Sequence, residues 1–178
     1  MLLFIAFAIH ANAQKIKFVT QVNAGYLLGQ NTKSIFTVQN FSGVNIPKYN
    51  VDLGFVIGYD HYQPIKILPF AFAIKHTFSS SMKASPYLML NTGYGFGLKD
   101  KSEIHTTYKG GFMLNPSMGL MFNKNGKVGY HLAVGYKTQK ATVTQYPDNP
   151  SDFIWYTPSV TTANYKLKKV MLSLGISF

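Results

Sequence analysis

The pattern of apolar and polar positions is clearest in the last eleven residues, Lys168 to Phe178. Side chains of a β-strand point alternately to its two faces. After Lys168, one face of this segment would be wholly apolar, and the other would be small or polar apart from Lys169 and a single methionine. The segment is therefore predicted to be a strand with one apolar face. The apolar positions are Val170, Leu172, Leu174, Ile176 and Phe178.

A Gly-Tyr pair recurs late in four alternating segments, with tyrosines at positions 26, 59, 94 and 136. Each interval is long enough for a strand, a loop, a return strand and a turn, so the repeat predicts four hairpins and eight strands. The predicted strands are Ile16 to Leu28, Ser34 to Ile46, Asn50 to Tyr62, Ile67 to Ser79, Pro86 to Lys99, Gly110 to Asn123, Lys127 to Val143 and Tyr165 to Phe178.

The two faces of these strands differ consistently in chemistry. One face is apolar, as in Phe55, Phe72 and Leu132, and the other mixes polar residues with Gly and Ala. The polar face carries too few charges and too many glycines to be the exterior of a water-soluble barrel. The sequence therefore predicts an all-β fold, an eight-stranded antiparallel up-and-down transmembrane β-barrel with its apolar faces outward. The polar residues predicted to point inward are Gln21, Asn23, Asp52, Asp60, Lys75, Asn91, Asn115, His131 and Lys137.

The composition fits this fold. Apolar residues make up 47% of the chain and charged residues 13%, yet no run of about 20 apolar residues occurs from which a transmembrane helix could form. The chain has no cysteine, which excludes disulfide bonds, thiolate metal sites and thiol catalysis.

The net charge of +11 comes wholly from lysine, because the chain has no arginine. Arginine is the preferred reader of phosphate and base edges, and the lysines are dispersed along the sequence, so nucleic acid is not an expected partner. A better partner for dispersed surface lysines is an anionic membrane leaflet, whose phosphates attract lysine as a point charge.

The N-terminal segment is predicted to be a signal peptide at residues 1–13, followed by the barrel domain at residues 14–178. Leu2 to Ile9 is apolar, and Ala11-Asn12-Ala13 has the small-x-small pattern of a cleavage site. No basic residue precedes the apolar run, so the n-region is missing or truncated and the true start codon is open. The alternative is a buried N-terminal strand.

The direction of the strands sorts the aromatic residues into two groups. With both termini on the inner side of the membrane, the four tyrosines of the Gly-Tyr pairs fall at the outer interface, and Phe18, Phe78, Phe122, Tyr130 and Phe178 fall at the inner one. Pro116 lies in the middle of the sixth strand, where it removes a ladder hydrogen bond, and a β-bulge is expected there.

These motifs resemble the small outer-membrane β-barrel proteins of Gram-negative bacteria, including the OmpA-like transmembrane domain and porin-like proteins. The resemblance is carried by the Gly-Tyr pairs, Tyr87 to Gly95, Gly110 to Pro116 and Leu172 to Phe178. It implies a location in the bacterial outer membrane with both termini in the periplasm, and a monomer. The implied partners are outer-membrane lipids and lipopolysaccharide, together with the barrel-assembly machinery, which would recognise the C-terminal strand.

Little chemistry is specified. Asp52, Asp60, Lys75, His131, Lys137 and Lys169 are candidate groups in the lumen, where salt bridges are the expected outcome and an ion path or catalysis the alternatives. His76 and Ser79 fall on opposite faces and form no catalytic pair. No catalytic, cofactor-binding or metal-binding residue is predicted, and no cofactor is expected. Aromatic residues between Tyr146 and Tyr156 would form a binding anchor, cap the barrel or extend the hairpin, and the Thr/Val alternation of the flanking residues favours extension.

The expected function is therefore that of a non-enzymatic integral outer-membrane β-barrel protein, with a structural or surface-interaction role through its outer loops. The alternatives are a small pore for ions or small solutes and a lipid A-modifying enzyme.

Overall fold

The structure is a computed structural model that describes residues 17–29, 32–62, 65–78, 83–98, 106–123, 127–146 and 160–178. The predicted signal peptide lies outside these residues. Within them the chain forms nine strands and one short 3-10 turn, Pro47–Tyr49. The strands are β1 Lys17–Gly29, β2 Thr32–Ile46, β3 Val51–His61, β4 Lys66–Thr77, β5 Ala84–Leu98, β6 Thr106–Lys109, β7 Gly111–Phe122, β8 Gly129–Gln145 and β9 Thr161–Ser177.

The strands close into one antiparallel barrel. Each neighbouring pair in the wall is antiparallel, and β9 pairs with both β8 and β1. The sheet therefore has no unpaired edge over the height at which β1 and β9 are paired. β6 and β7 both pair with β8 and occupy one position in the wall, which gives eight positions in total. The predicted eight-stranded up-and-down barrel is confirmed.

The sixth position of the wall is divided at Gly110. A Cβ atom on this residue would lie 1.5 Å from the carbonyl oxygen of Gly95, so only glycine fits. Lys109 pairs with Thr142, and Met113 pairs with Gln139. The chain therefore advances four positions from Lys109 to Met113 while β8 advances only three. Gly110 thus separates β6 from β7 and shifts the register by one residue.

The pairing register fixes the tilt of the strands. Following paired residues from Lys17 once around the wall leads back to β1 at Leu27, which is ten residues further along. With a rise of about 3.3 Å per residue and strands about 4.8 Å apart, this offset corresponds to a tilt of about 40°. The path runs through Asn45, Asp52, Lys75, Met89, Ser117, Gly135 and Met171.

Because the strands are tilted, paired residues on successive strands lie at successively different heights along the barrel axis. When heights are corrected for this tilt, the aromatic residues form two rings. We call the end at which β1 begins and β9 ends the terminal end, and the opposite end the loop end. The predicted sorting by strand direction is confirmed, and the rings are about 20 Å apart along the barrel axis. Which end faces the cell exterior stays a prediction. Tyr26, Tyr59, Tyr94 and Tyr136 lie at the loop end, and Phe18, Phe78, Phe122, Tyr130 and Phe178 at the terminal end.

The exterior between the two rings is apolar. Phe55, Met118 and Leu174 are 54%, 59% and 66% exposed, and most of the other outward positions carry large apolar side chains. Asn40 and Ser42 of β2 are polar residues on this face, and the Asn40 side chain donates a hydrogen bond of 3.1 Å to the Ser42 hydroxyl. A closed wall with this exterior is suited to hydrocarbon and unsuited to water.

The expected β-bulge at Pro116 is wrong. The β7–β8 register is the same before and after this residue, because Leu114 pairs with Thr138 and Ser117 with Gly135. Pro116 stays paired with β5, opposite Leu90, while the ladder towards β8 is interrupted. A proline lacks only the N–H on one side, so the strand continues without an inserted residue.

The predicted ends of the last two strands are too short. β8 continues to Gln145 and β9 starts at Thr161, and the two strands pair over this whole length. β9 pairs with β1 only up to Val170, so β6, β8 and β9 extend beyond the barrel rim at the loop end. The hairpin thus extends to Gln145 and Thr161, in line with the Thr/Val alternation there, whereas residues 147–159, with most of the aromatic residues of this loop, lie outside the described part of the chain.

No helix of the described residues is long and apolar enough to cross a membrane.

The orientation of the faces yields a prediction about stability. Leu174 lies near mid-height on the outward face, where an introduced arginine side chain would lie at the centre of the acyl chains. We expect Leu174→Arg to lower the free energy of unfolding in lipid vesicles by about 2–4 kcal/mol. Leu98→Arg, at the loop-end rim of β5, should cost less than about 1 kcal/mol. Denaturant titration of the vesicle-bound protein measures both, and equal losses would contradict an outward apolar face.

Candidate functional site in the barrel interior

The six charged or titratable residues predicted to lie in the lumen are all inside the barrel. Asp52, Asp60, Lys75, His131, Lys137 and Lys169 are each at most 5% exposed. Alternation along β3, β4, β8 and β9 turns them inward, and the closed wall then separates them from the outer surface of the barrel. The inward direction of these residues is confirmed.

Towards the terminal end, Lys75 is held by an ion pair and a hydrogen bond. Its ammonium nitrogen lies 2.9 Å from the Asp52 carboxylate and donates to the side-chain oxygen of Gln21 at 3.0 Å. Asn45 donates to the other Asp52 oxygen at 2.5 Å. Asp52 and Lys75 face each other across β3 and β4, so strand register alone brings the opposite charges together.

Two aromatic rings pack around the same ammonium group. The Lys75 nitrogen is 5.8 Å from the centre of the Phe41 ring and 5.7 Å from that of Tyr87. The Tyr87 ring also meets the His131 ring edge-on at 5.6 Å, and His131 shares a hydrogen bond of 2.8 Å with the Ser177 hydroxyl. Phe41 is fully buried, so these rings fill the lumen at this height.

A second ion pair lies towards the loop end. The Lys137 ammonium contacts one oxygen of Asp60, and the Thr37 hydroxyl donates to the other at 2.6 Å. Both charged side chains are fully buried. Two opposite charges in a low-dielectric interior are stable together and costly apart, so each depends on the other.

Apolar side chains separate and cover the two ion pairs. Between them lies a cluster around Phe41, and beyond the Asp60–Lys137 pair lies a second cluster at the loop end. The interior is therefore layered and filled at several heights, as expected of an eight-stranded barrel. The buried members of the first cluster are Phe41, Val56, Ala71, Ala73, Tyr87, Met89, Met113 and Ala133, and those of the second are Leu27, Ile35, Tyr62, Ile65, Ile67, Ala141, Val143 and Met171.

Tyr62 belongs to the loop-end cluster and lies just after β3. Burial raises the pKa of its hydroxyl, and the negative charge of Asp60 raises it further. The phenol is therefore neutral throughout the physiological range and acts as a packing group.

A cavity of about 550 Å³ opens at the terminal end. Asp52 and Lys75 line it together with Lys17, Lys127 and the C-terminal Phe178. Phe41 and the layer around it lie further along the barrel axis, so the cavity is a vestibule that ends at the first ion pair.

The remaining histidines do not assemble a catalytic or metal site in the described part of the chain. His76 points outward, and its ring meets that of Phe78 edge-on at 4.7 Å. His61 lies 3.2 Å from the Tyr59 hydroxyl at the loop end. No group of three or more potential metal ligands occurs among the described residues. Ser79, His105 and the aromatic residues of the last loop after Tyr146 lie outside them.

The roles of several interior residues were not predicted from the sequence. Phe41 and Tyr87 were not predicted to plug the lumen, and Thr37, Asn45 and Ser177 were not predicted as partners of its charges. Assigning every second residue of β2 to the inner face would have placed Ile35, Thr37, Gln39 and Phe41 there. The pattern is hard to recognise because the outer face of β2 also carries polar residues.

Known structures share this architecture. No protein-family model and no curated protein matches the sequence. Among solved structures, Neisserial surface protein A (NspA) is 13% identical, with a TM-score of 0.59 over 90% of this chain and 95% of NspA. The outer membrane protein AlkL, solved by solid-state NMR in DMPC lipid bilayers, is 16% identical, with a TM-score of 0.50 over 90% of this chain and 88% of AlkL.

The chain has the fold of the small outer-membrane β-barrels. At these identities the likeness concerns the fold, and the predicted resemblance is confirmed at that level.

The buried ion pair at the loop end yields a second prediction. Asp60→Asn leaves the Lys137 ammonium buried without a counter-charge, which should lower the free energy of unfolding by about 3–5 kcal/mol. Asp60→Asn combined with Lys137→Met removes both charges and should recover most of that loss. Unfolding by denaturant in zwitterionic micelles measures the three proteins. If the double variant is less stable than the single variant, mutual compensation is not what holds the pair.

Proposed function

We propose that the protein is a non-enzymatic integral protein of the bacterial outer membrane, with a structural or surface-interaction role through the segments at its loop end. The observation that carries this proposal is the exterior of the wall. A closed sheet whose backbone is paired all round, with large apolar side chains outward between two aromatic rings, satisfies both demands of a bilayer core. The ring separation of about 20 Å is close to the apolar band of about 25 Å that such barrels carry.

The proposed orientation has both termini in the periplasm. The connections at the terminal end have four to six residues. The longest connection, residues 146–160, joins β8 and β9 at the loop end, and this supports the orientation because outer-membrane barrels have their long loops on the extracellular side. In this orientation the alternating C-terminal strand and Phe178 would be offered to the barrel-assembly machinery from the periplasm.

Outer-membrane lipids and lipopolysaccharide are the proposed partners of the wall, and a monomer is the proposed state. Because β9 pairs with β1, the wall itself offers no edge strand over its membrane-spanning height for pairing with a second copy.

The interior favours this role over that of a small pore. Two ion pairs and two apolar clusters occupy successive heights of the lumen, and Phe41, Lys75, Asp60 and Lys137 have almost no exposure. Lipid A modification has less support, since both acidic side chains that the structure describes, Asp52 and Asp60, lie inside, away from the outward-facing His76.

Refolding into lipid vesicles and planar bilayers tests the proposal. We expect unboiled protein to migrate faster than boiled protein on a denaturing gel, because a closed barrel resists detergent until heated. We also expect no conductance above that of the bare bilayer. Identical migration of boiled and unboiled samples after refolding would contradict a membrane barrel. Discrete conductance steps would replace the structural role with the pore alternative.

A further inference from the structure

Four lysines that are far apart in the sequence come together on the outside of the barrel at the loop end. Lys140 of β8 lies directly opposite Lys166 of β9, and Lys168 follows two residues further along the same face of β9. Lys109 of β6 lies opposite Thr142, on the same outward face of β8 as Lys140. All four side chains are exposed. We call this group the lysine patch.

The patch carries four positive charges at close spacing. Side chains directly opposite each other in an antiparallel pair have Cβ atoms about 4.5–5.5 Å apart, and like charges at such positions are destabilising. Lys140 and Lys166 occupy such a pair. Both acidic residues that the structure describes are inside the barrel, where Asp52 pairs with Lys75 and Asp60 with Lys137. The patch therefore requires anions from outside the described chain.

The height of the patch selects the kind of anion. Lys168 is two residues beyond Val170, which pairs with Tyr136 of the tyrosine ring. Below the patch, Phe112, Tyr136 and Val170 are 51%, 44% and 45% exposed and belong to the apolar exterior. An anion at this height has lysines above it and an apolar wall below, which is the environment of a lipid headgroup with its acyl chains.

We propose that the lysine patch binds the phosphate groups of an anionic lipid in the leaflet at the loop end, with the acyl chains of that lipid on the wall formed by β7, β8 and β9. Lysine suits this role because its ammonium group attracts phosphate as a point charge and its long stem packs along apolar surface. The inference rests on the proposed membrane location and adds a defined lipid site to it.

The competing partner of the patch is intramolecular. Asp100, Glu103, Asp148 and Asp152 belong to the segments 99–105 and 147–159, which connect to β6, β8 and β9 at the loop end and lie outside the described residues. If these carboxylates neutralise the lysines, the patch has no need of a lipid phosphate, and the experiment below gives no selective binding.

The test compares two sets of four lysines in the full-length protein, refolded in zwitterionic micelles. The first variant carries Lys109→Gln, Lys140→Gln, Lys166→Gln and Lys168→Gln. The control variant carries Lys17→Gln, Lys48→Gln, Lys83→Gln and Lys127→Gln, which removes the same charge from four exposed lysines at the terminal end. Dissociation constants are measured for lipid A with two phosphates, for dephosphorylated lipid A and for inorganic phosphate.

We expect the patch variant to bind diphosphorylated lipid A at least about ten-fold more weakly than the wild type, and the control to bind within about two-fold. Replacing the four patch lysines with arginine should retain binding. Dephosphorylated lipid A should bind more weakly to the wild type, and inorganic phosphate should not compete at millimolar concentration.

Equal weakening of the patch and control variants would overturn the proposal, because binding would then follow net charge alone. So would wild-type affinity in the patch variant, or tight binding of inorganic phosphate. Heat-modifiable migration of each protein separates this outcome from failure of the proposed function. A barrel that folds and inserts but shows no patch-dependent binding removes only the lipid site, whereas a wild type that never becomes heat-modifiable removes the membrane location.

Discussion

The closed hydrogen-bond ladder is the constraint on which the rest of the structure depends. In hydrocarbon no water satisfies a free backbone N–H or C=O group, so a sheet is stable there only when its last strand pairs with its first. Here β9 provides that closure by pairing with β1 from Gln21 to Leu28 and with β8 along its whole length. Pro69 and Pro116 interrupt the ladder on one side each, and both remain paired with β5.

Closure with eight strands also determines what the interior can contain. A barrel of this size is just wide enough for side chains to fill, so an inward charge is costly unless an opposite charge or hydrogen-bonding groups lie beside it. Asp52 meets Lys75 across one pair of neighbouring strands, whereas Asp60 and Lys137 come from opposite parts of the sequence. The same alternation that turns these residues inward turns Phe55 and Leu174 outward. The apolar exterior and the charged interior therefore have the same cause.

The periodic part of the structure could be predicted from the sequence, because side-chain direction in a strand depends only on counting by two. This is why the inward residues, the outward residues and the two aromatic rings were all found. Features that depend on non-periodic or distant contacts were not found. The break at Gly110 follows from contact with Gly95, and the continuous strand at Pro116 follows from which side of it has a hydrogen-bonding partner.

The pairing of the interior charges and the meeting of the four patch lysines could not be predicted from the sequence for a related reason. Asp60 and Lys137 are 77 residues apart, and nothing local in the sequence indicates that they meet. Lys109, Lys140 and Lys166 are dispersed along the chain, and only the register of β6, β8 and β9 gathers them. Such juxtapositions depend on register and shear, which alternation alone does not specify.

The central claim is that apolar side chains contact lipid while small and polar ones fill the lumen. Because the chain has no cysteine, single cysteines can be introduced one at a time along β9, from Val170 to Ser177, and spin-labelled in vesicles. Collision with dissolved oxygen, which concentrates in the bilayer core, should alternate with a period of two and peak at positions 172, 174 and 176. The opposite phase, with the peaks at 171, 173 and 175, would contradict the account.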